Sequence, residues 1–392
     1  MKAYLILEDG QVFEGERIGS DRNVICEMVF NTSVTGYVEL LTDPSYAGQG
    51  VVMSSPIIGN YGVFETDTES KRPWLEAFII RYLTPMQNDP RNAVDLNEYL
   101  KKYDIPGITS VDTRLLTLTI REKGTMKGML TSEEPVDLDE ILKKIHDYSI
   151  ERKVPLVSID EKKEYVCGDL GPKDRNVDRM PLDCGRDQDG KPPYKVALMD
   201  FGAKSNITRL LYKYNCDVTW YPWDTPAEKI IADNPEGIML SNGPGDPKDC
   251  PEVIHEVKNL YDSDIPIFAI CLGHQLMALA VGFDTHKLKY GHRGINHPVK
   301  DLTIDRCFIT SQNHSYCVIE SSIDPSIATI SHLNINDQSI EGLEYVGKDI
   351  FTVQFHPEGA PGPQDTQFLF ERFIEKMESR RRYKRTPECE IL

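Results

Sequence analysis

The chain has 392 residues, with 44 Lys and Arg against 62 Asp and Glu and a formal net charge of −18. At roughly 100–200 residues per domain this length predicts two or three domains, and the anionic balance argues against a nonspecific nucleic-acid binder, which needs clustered cations to displace counterions from phosphates. Hydrophobic residues at 40% beside 27% charged residues exclude wholesale disorder and a fibrous repeat.

Residues 1–155 read as a mixed, β-rich domain. Tyr4-Leu5-Ile6-Leu7, the turn Glu8-Asp9-Gly10 and Val12-Phe13-Glu14-Gly15 form an expected opening hairpin. That first apolar stretch is too short for a secretory leader, and no run of about 18 apolar residues follows, so no membrane span is expected. Two helices are predicted later: one capped by Asp112, carrying Leu115, Leu116, Leu118 and Ile120 and stopped by Gly124, and one after Asp137 carrying Leu138, Ile141, Leu142 and Ile145. Residues 156–194 lose apolar character and gain Gly, Pro and charge, which reads as a linker or surface insertion. Strand and helix patterns then alternate over 195–378, beginning with Lys195-Val196-Ala197-Leu198-Met199-Asp200 and a helix bearing Ile207, Leu210, Leu211 and Tyr214. The apolar runs Glu236-Gly237-Ile238-Met239-Leu240 and Ile265-Pro266-Ile267-Phe268-Ala269-Ile270 suit strands covered on both faces, so an α/β domain with a largely parallel central sheet is expected. A C-terminal helix carries Thr366, Leu369, Phe370, Phe373, Ile374 and Met377, and residues 379–392 read as a solvated basic tail, with a basic docking arm as the alternative. Nine scattered cysteines, an odd number without a CxxC pair, fit a reducing, cytoplasmic setting better than a disulfide framework or a zinc ribbon.

In an open α/β sheet, ligands bind beyond the carboxyl ends of the strands, and three such ends carry chemistry. After Ile270 comes Cys271, flanked two positions away by the small residues Ala269 and Gly273 and followed by a helical segment. A strand–nucleophile–helix elbow needs those small neighbours, and the helix N-terminus favours thiolate over thiol. After the apolar run 350–355 come His356-Pro357-Glu358. In extended backbone, residues two apart share a face, so His356 and Glu358 are expected to project together as a base and its orienter. After Leu240 come Ser241-Asn242-Gly243-Pro244-Gly245-Asp246-Pro247, whose glycines allow exposed N–H groups. The N–H of Gly243 and that of Leu272 are candidates for an oxyanion hole, though by itself this segment also reads as an ordinary Gly-Pro turn.

Cys271-Leu272-Gly273-His274-Gln275, the 242–247 loop and Phe355-His356-Pro357-Glu358, in this order, resemble the class I (triad) glutamine amidotransferases. The N-terminal segments Phe30-Asn31-Thr32-Ser33-Val34-Thr35-Gly36-Tyr37, Leu41-Thr42-Asp43-Pro44-Ser45-Tyr46-Ala47-Gly48-Gln49 and Ile58-Gly59-Asn60-Tyr61-Gly62 resemble the small subunit of carbamoyl phosphate synthetase, as do Ile105-Pro106-Gly107-Ile108, Asp112-Thr113-Arg114 and Gly291-His292-Arg293-Gly294-Ile295-Asn296-His297-Pro298-Val299. The resemblance implies a glutaminase that releases ammonia from L-glutamine through a cysteinyl thioester and passes it to a large synthetase subunit, for pyrimidine or arginine biosynthesis. It implies Cys271 as nucleophile, His356 as proton shuttle, Glu358 as orienter, and Leu272 and Gly243 as oxyanion donors. Ser45, Gly243, Gly245, Leu272, Gln275, Asn313, Ser315 and Tyr316 would bind glutamine. No metal or cofactor is implied in this chain; ATP, magnesium and bicarbonate would belong to the partner. A glutaminase serving another biosynthetic enzyme and a non-catalytic regulatory subunit are the alternatives. The family's usual Gln-Asn-His-Gly-Phe reads Gln312-Asn313-His314-Ser315-Tyr316 here, so a positive φ at Ser315 would strain the backbone.

Overall fold

A computed structural model describes residues 1–85, 93–149, 152–165 and 192–383. It divides into two compact units. The first comprises Met1–Lys153 with Leu288–Ile295, and the second holds the remaining described residues from Val154 onward.

The first unit is built on nine strands: β1 (Lys2–Leu7), β2 (Val12–Gly19), β3 (Val24–Asn31), β4 (Gln49–Met53), β5 (Ile57–Ile58), β6 (Ala77–Ile79), β7 (Tyr82–Leu83), β8 (Pro106–Thr109) and β9 (Met126–Thr131). Seven of them close a barrel in the order β1-β2-β8-β6-β4-β3-β9, while β5 and β7 pair separately. The β1–β2 hairpin forms where expected, with Gly10 at φ 85° in its turn. The alternation of β1 explains its unbroken apolar sequence. Ala3, Leu5 and Leu7 enter the barrel core with Phe13, Met28 and Ile79, and Tyr4 and Ile6 face the other way, packing with Ile145 of the helix Leu138–Asp147. Both predicted helices are present, capped by the carboxylates of Asp112 and Asp137.

The second unit holds a ten-stranded sheet made of β10 (Lys163–Tyr165), β11 (Tyr194–Asp200), β12 (Cys216–Pro222), β13 (Gly237–Leu240), β14 (Ile267–Ile270), β15 (Thr285–Asp301), β16 (Arg306–Val318), β17 (Ala328–Asn334), β18 (Ile340–Tyr345) and β19 (Ile350–Val353). Its order is β10-β12-β11-β13-β14-β19-β18-β17-β15-β16. The five strands from β12 to β19 run parallel, and β18 and β17 continue the sheet antiparallel. Helices cover the parallel part. On one face, Phe268 stacks on Phe351 with centroids 4.5 Å apart and meets Phe370 edge-on at 5.4 Å. Burying each such ring stabilises by about 1.5–3 kcal/mol.

Two sequence expectations change here. Lys163–Tyr165, read as part of the 156–194 linker, forms an edge strand paired with β12, and Val154–Val157 is helical; residues 166–191 lie outside the described residues. The C-terminal helix runs Phe368–Tyr383, so the first residues of the expected solvated tail are helical. Arg381 is the reason: it pairs with Glu236 at 2.5 Å, donates to the Pro193 carbonyl at 3.1 Å and lies over the Tyr194 ring at 4.1 Å. Residues 384–392 lie outside the described residues.

Candidate active site

Parallel pairing of β13, β14 and β19 brings three strand ends side by side in the second unit. Cys271 follows β14 directly and precedes the helix Leu272–Ala280, at φ 52° and ψ −104°. A positive φ on a non-glycine residue is strained, and the surroundings hold it: the Cys271 amide donates to Val353 O at 2.8 Å and the Gly273 amide to Ser241 O at 3.1 Å. Gly273 has to be small, because a Cβ there would sit 2.6 Å from Leu240 O. The elbow read from sequence is therefore formed, and it presses the helix start onto the end of β13.

His356 and Glu358 come together by a different route from the one expected. The strand β19 stops at Val353, and residues 356–359 form a turn closed by the Gly359 amide on His356 O at 3.1 Å. Proline at the second turn position suits this geometry. Within the turn His356 Nδ1 lies 2.7 Å from Glu358 Oε1. The His356 amide is held by Ser311 O at 2.9 Å. Nδ1 being occupied, Nε2 is the ring atom left open, buried and without a hydrogen-bond partner. The side chains of Cys271, His356 and Glu358 are all buried.

The electrostatics follow from that burial. Loss of water is the largest influence on His356 and lowers its proton affinity, as does Lys204; the Glu358 carboxylate, helped by the Cys271 side chain, outweighs both, raising the pKa to about 10. For Glu358, burial works toward the neutral acid, but Lys204 and His356 overcome it and hold its pKa at about 2. Lys204 is the residue that sequence reasoning missed. Its ammonium lies 2.6 Å from Glu358 Oε1 and 3.0 Å from Ala360 O. Asp200, at the end of β11, shapes the loop that delivers it by accepting from the Gly202 and Ala203 amides at 2.9 and 2.7 Å. The available signal was position: Lys204 lies just beyond a strand's carboxyl end, where ligands bind.

The remaining candidates line the same strand ends, with one exception. Leu272 is the first helical residue, so its N–H has no acceptor within its own helix. Gly243 lies beside it: a Cβ there would stand 2.3 Å from Phe201 O and 2.8 Å from Leu272 Cδ2. Gly245 adopts φ 92°. On β16, Asn313 O is 3.6 Å from Cys271 Sγ, and Gln275 Nε2 donates to Tyr316 O and Gln354 Oε1, both at 2.9 Å. Ser315 lies within β16 and has no positive φ, so the strain considered for it does not arise. Ser45 belongs to the first unit, in the turn Pro44–Tyr46, with its amide on Asp43 Oδ1 at 2.9 Å.

A strained cysteine and a carboxylate-bonded imidazole thus stand at adjacent strand ends of an open parallel sheet, and the comparisons with known proteins place this unit among the class I glutamine amidotransferases. The family model described as "Glutamine amidotransferase class-I" matches residues 197–376, and that of "Carbamoyl-phosphate synthase small chain, CPSase domain" matches residues 5–130. The carbamoyl phosphate synthase small chain of Listeria monocytogenes is 44% identical over 377 residues, covering 96% of this chain and 97% of its own. The pyrimidine-specific small chain of Bacillus subtilis is 44% identical over 379 residues, 97% of each chain, and the small chain of Syntrophotalea carbinolica is 46% identical over 383 residues, 97% of this chain and 99% of its own. This chain belongs to the carbamoyl phosphate synthase small-chain family, whose members supply the glutamine-hydrolysing subunit.

Proposed function

We propose that Cys271, His356 and Glu358 hydrolyse L-glutamine in two acyl-transfer steps, and that the ammonia serves a large, ATP-using chain that makes carbamoyl phosphate. With the proton held on His356, the Cys271 sulfur adds as a thiolate to the side-chain carboxamide carbon. The carbonyl oxygen gains negative charge and is met by the N–H groups of Leu272 and Gly243. As the carbon–nitrogen bond breaks, His356 protonates the departing ammonia, leaving a γ-glutamyl thioester on Cys271. Water then attacks that carbon and gives a proton to His356. The carbon–sulfur bond breaks, and glutamate leaves. Each step moves a proton or an acyl group, and none calls on a redox group.

The observation that supports this reading is the buried pairing of His356 Nδ1 with Glu358 Oε1 at 2.7 Å, at a strand end beside that of the strained Cys271. A raised imidazole pKa keeps the protonated ring available as the acid that ammonia departure needs. In the complex with the large chain, Cys271→Ser is expected to abolish glutamine-dependent carbamoyl phosphate synthesis, measured by product formation, while synthesis from free ammonia continues. Equal glutamine turnover by this variant and the unmodified protein would overturn the assignment. The relatives are named as small chains, which supports a large-chain partner. Among the described residues no helix is long and apolar enough to cross a membrane.

A further inference from the structure

Behind the site, β16 carries a second buried polar chain that the reaction steps do not use. Residues 312, 314 and 316 share one face of this strand by its period of two, and 313 and 315 share the other. Glu341, on β18, is fully buried. Its Oε1 accepts from Asn334 Nδ2 at 3.0 Å and its Oε2 from Gln312 Nε2 at 2.9 Å.

The orientation of the Gln312 amide is set twice over. Gln312 Nε2 also lies 3.2 Å from Thr310 Oγ1, and the Thr310 hydroxyl gives its own proton to His297 O at 2.9 Å. Gln312 therefore faces two acceptors with its nitrogen, and its oxygen must face the other way. That oxygen lies 2.9 Å from His314 Nε2, so Nε2 has to carry a proton. At the other side of the ring, His314 Nδ1 lies 2.7 Å from Tyr316 O, and a carbonyl only accepts. Nδ1 has to carry a proton as well. Both ring nitrogens donate, which makes His314 an imidazolium, with the Glu341 carboxylate as its counter-charge one amide away.

We propose that Glu341 is a positioning residue of the glutaminase. Through Gln312 it keeps His314 doubly protonated, and His314 together with Gln275 pins the Tyr316 carbonyl, holding residues 313–316 against Cys271. Asn313 O, 3.6 Å from the Cys271 sulfur, is part of the segment so held. This inference rests on the reading of 313–316 as the glutamine-binding segment. Loosening that segment weakens substrate and transition state alike, so it raises KM and spares kcat.

The test is glutaminase kinetics of the complex with its large chain, together with nitrogen-15 NMR of the histidine rings at neutral pH, His314 being assigned by the signal lost in His314→Gln. The unmodified protein is expected to show protons on both His314 nitrogens. Glu341→Gln keeps the volume but removes the charge and one of the two acceptors; it is expected to leave His314 with one proton and to raise KM for glutamine about tenfold, with kcat within about threefold. Glu341→Leu is expected to raise KM further. A singly protonated His314 in the unmodified protein, or a KM unchanged in Glu341→Gln, would overturn the inference. Absence of glutamine turnover in the unmodified complex would instead sink the functional reading, and the ring signals would still report on the Glu341 chain.

Discussion

Two histidines of the second unit, both sealed from water, are driven in opposite directions. His274 lies inside the helix that follows Cys271, with Nδ1 2.7 Å from the Thr352 hydroxyl, and burial, aided by His332, lowers its pKa to about 3. His356 is buried as deeply, yet its pKa rises to about 10. The difference is a carboxylate. Burial by itself strips a histidine of its charge, and Glu358 reverses that outcome at His356 only because Lys204 keeps Glu358 ionised. A neutral histidine packs a helix on a sheet, whereas a charged one can give a proton to a leaving group.

The contrast is broken most severely by removing the carboxylate. Glu358→Gln is expected to lower kcat for glutamine hydrolysis between about 10² and about 10⁴-fold, since an orienting acid fixes both the tautomer and the charge of the imidazole. Because Glu358 raises the His356 pKa, the alkaline fall in activity should move to lower pH in the variant. A pH–rate profile with an unmoved alkaline limb would show that Glu358 does not set the state of His356.

Lys204→Met tests the layer behind. It strands a buried carboxylate, and breaking a buried pair costs about 3–5 kcal/mol, to be read as a reduced urea midpoint. A loss under about 1 kcal/mol would place Lys204 outside the support of the triad.

The smallest expected effect concerns His274. Its pKa is 6.5 when unfolded and about 3 when folded, so as pH falls below 6.5 the unfolded chain takes up a proton that the folded one refuses, and stability drops until the folded pKa is reached. His274→Leu should flatten the acid slope of the unfolding free energy in that window. His356 works with the other sign. Its raised pKa contributes stability that is complete below 6.5 and lost as pH climbs toward 10. If His274→Leu left the acid slope unchanged, burial would not be what neutralises His274.

The parts of this site that are local in sequence were legible from it. The Cys271 elbow needs small residues at 269 and 273, a strand before and a helix after, and all of these are near neighbours. The oxyanion candidates Gly243 and Leu272 were legible for the same reason: each follows a strand end, where an apolar run gives way to glycine or a helix start. The pairing of His356 with Glu358 was legible as a pair but not as a geometry, because a Pro-containing turn and an extended strand both bring residues two apart to one side. Lys204 and Glu341 could not be read at all. A lone Lys or Glu in sequence describes a solvated surface far more often than a buried ion, and only the strands packed around them remove the water.

Sequence alone determined the strands and helices with strong local signals and which chemistry is present, since hydrophobic periodicity, caps and turn residues act over a few positions. Tertiary structure decided the rest. The order of β13, β14 and β19 in the sheet brings a cysteine, an imidazole and a glycine-rich turn to one place, and the depth of their burial decides which charges survive there. Those outcomes depend on distances between residues far apart in the chain and on a local dielectric that no stretch of sequence carries.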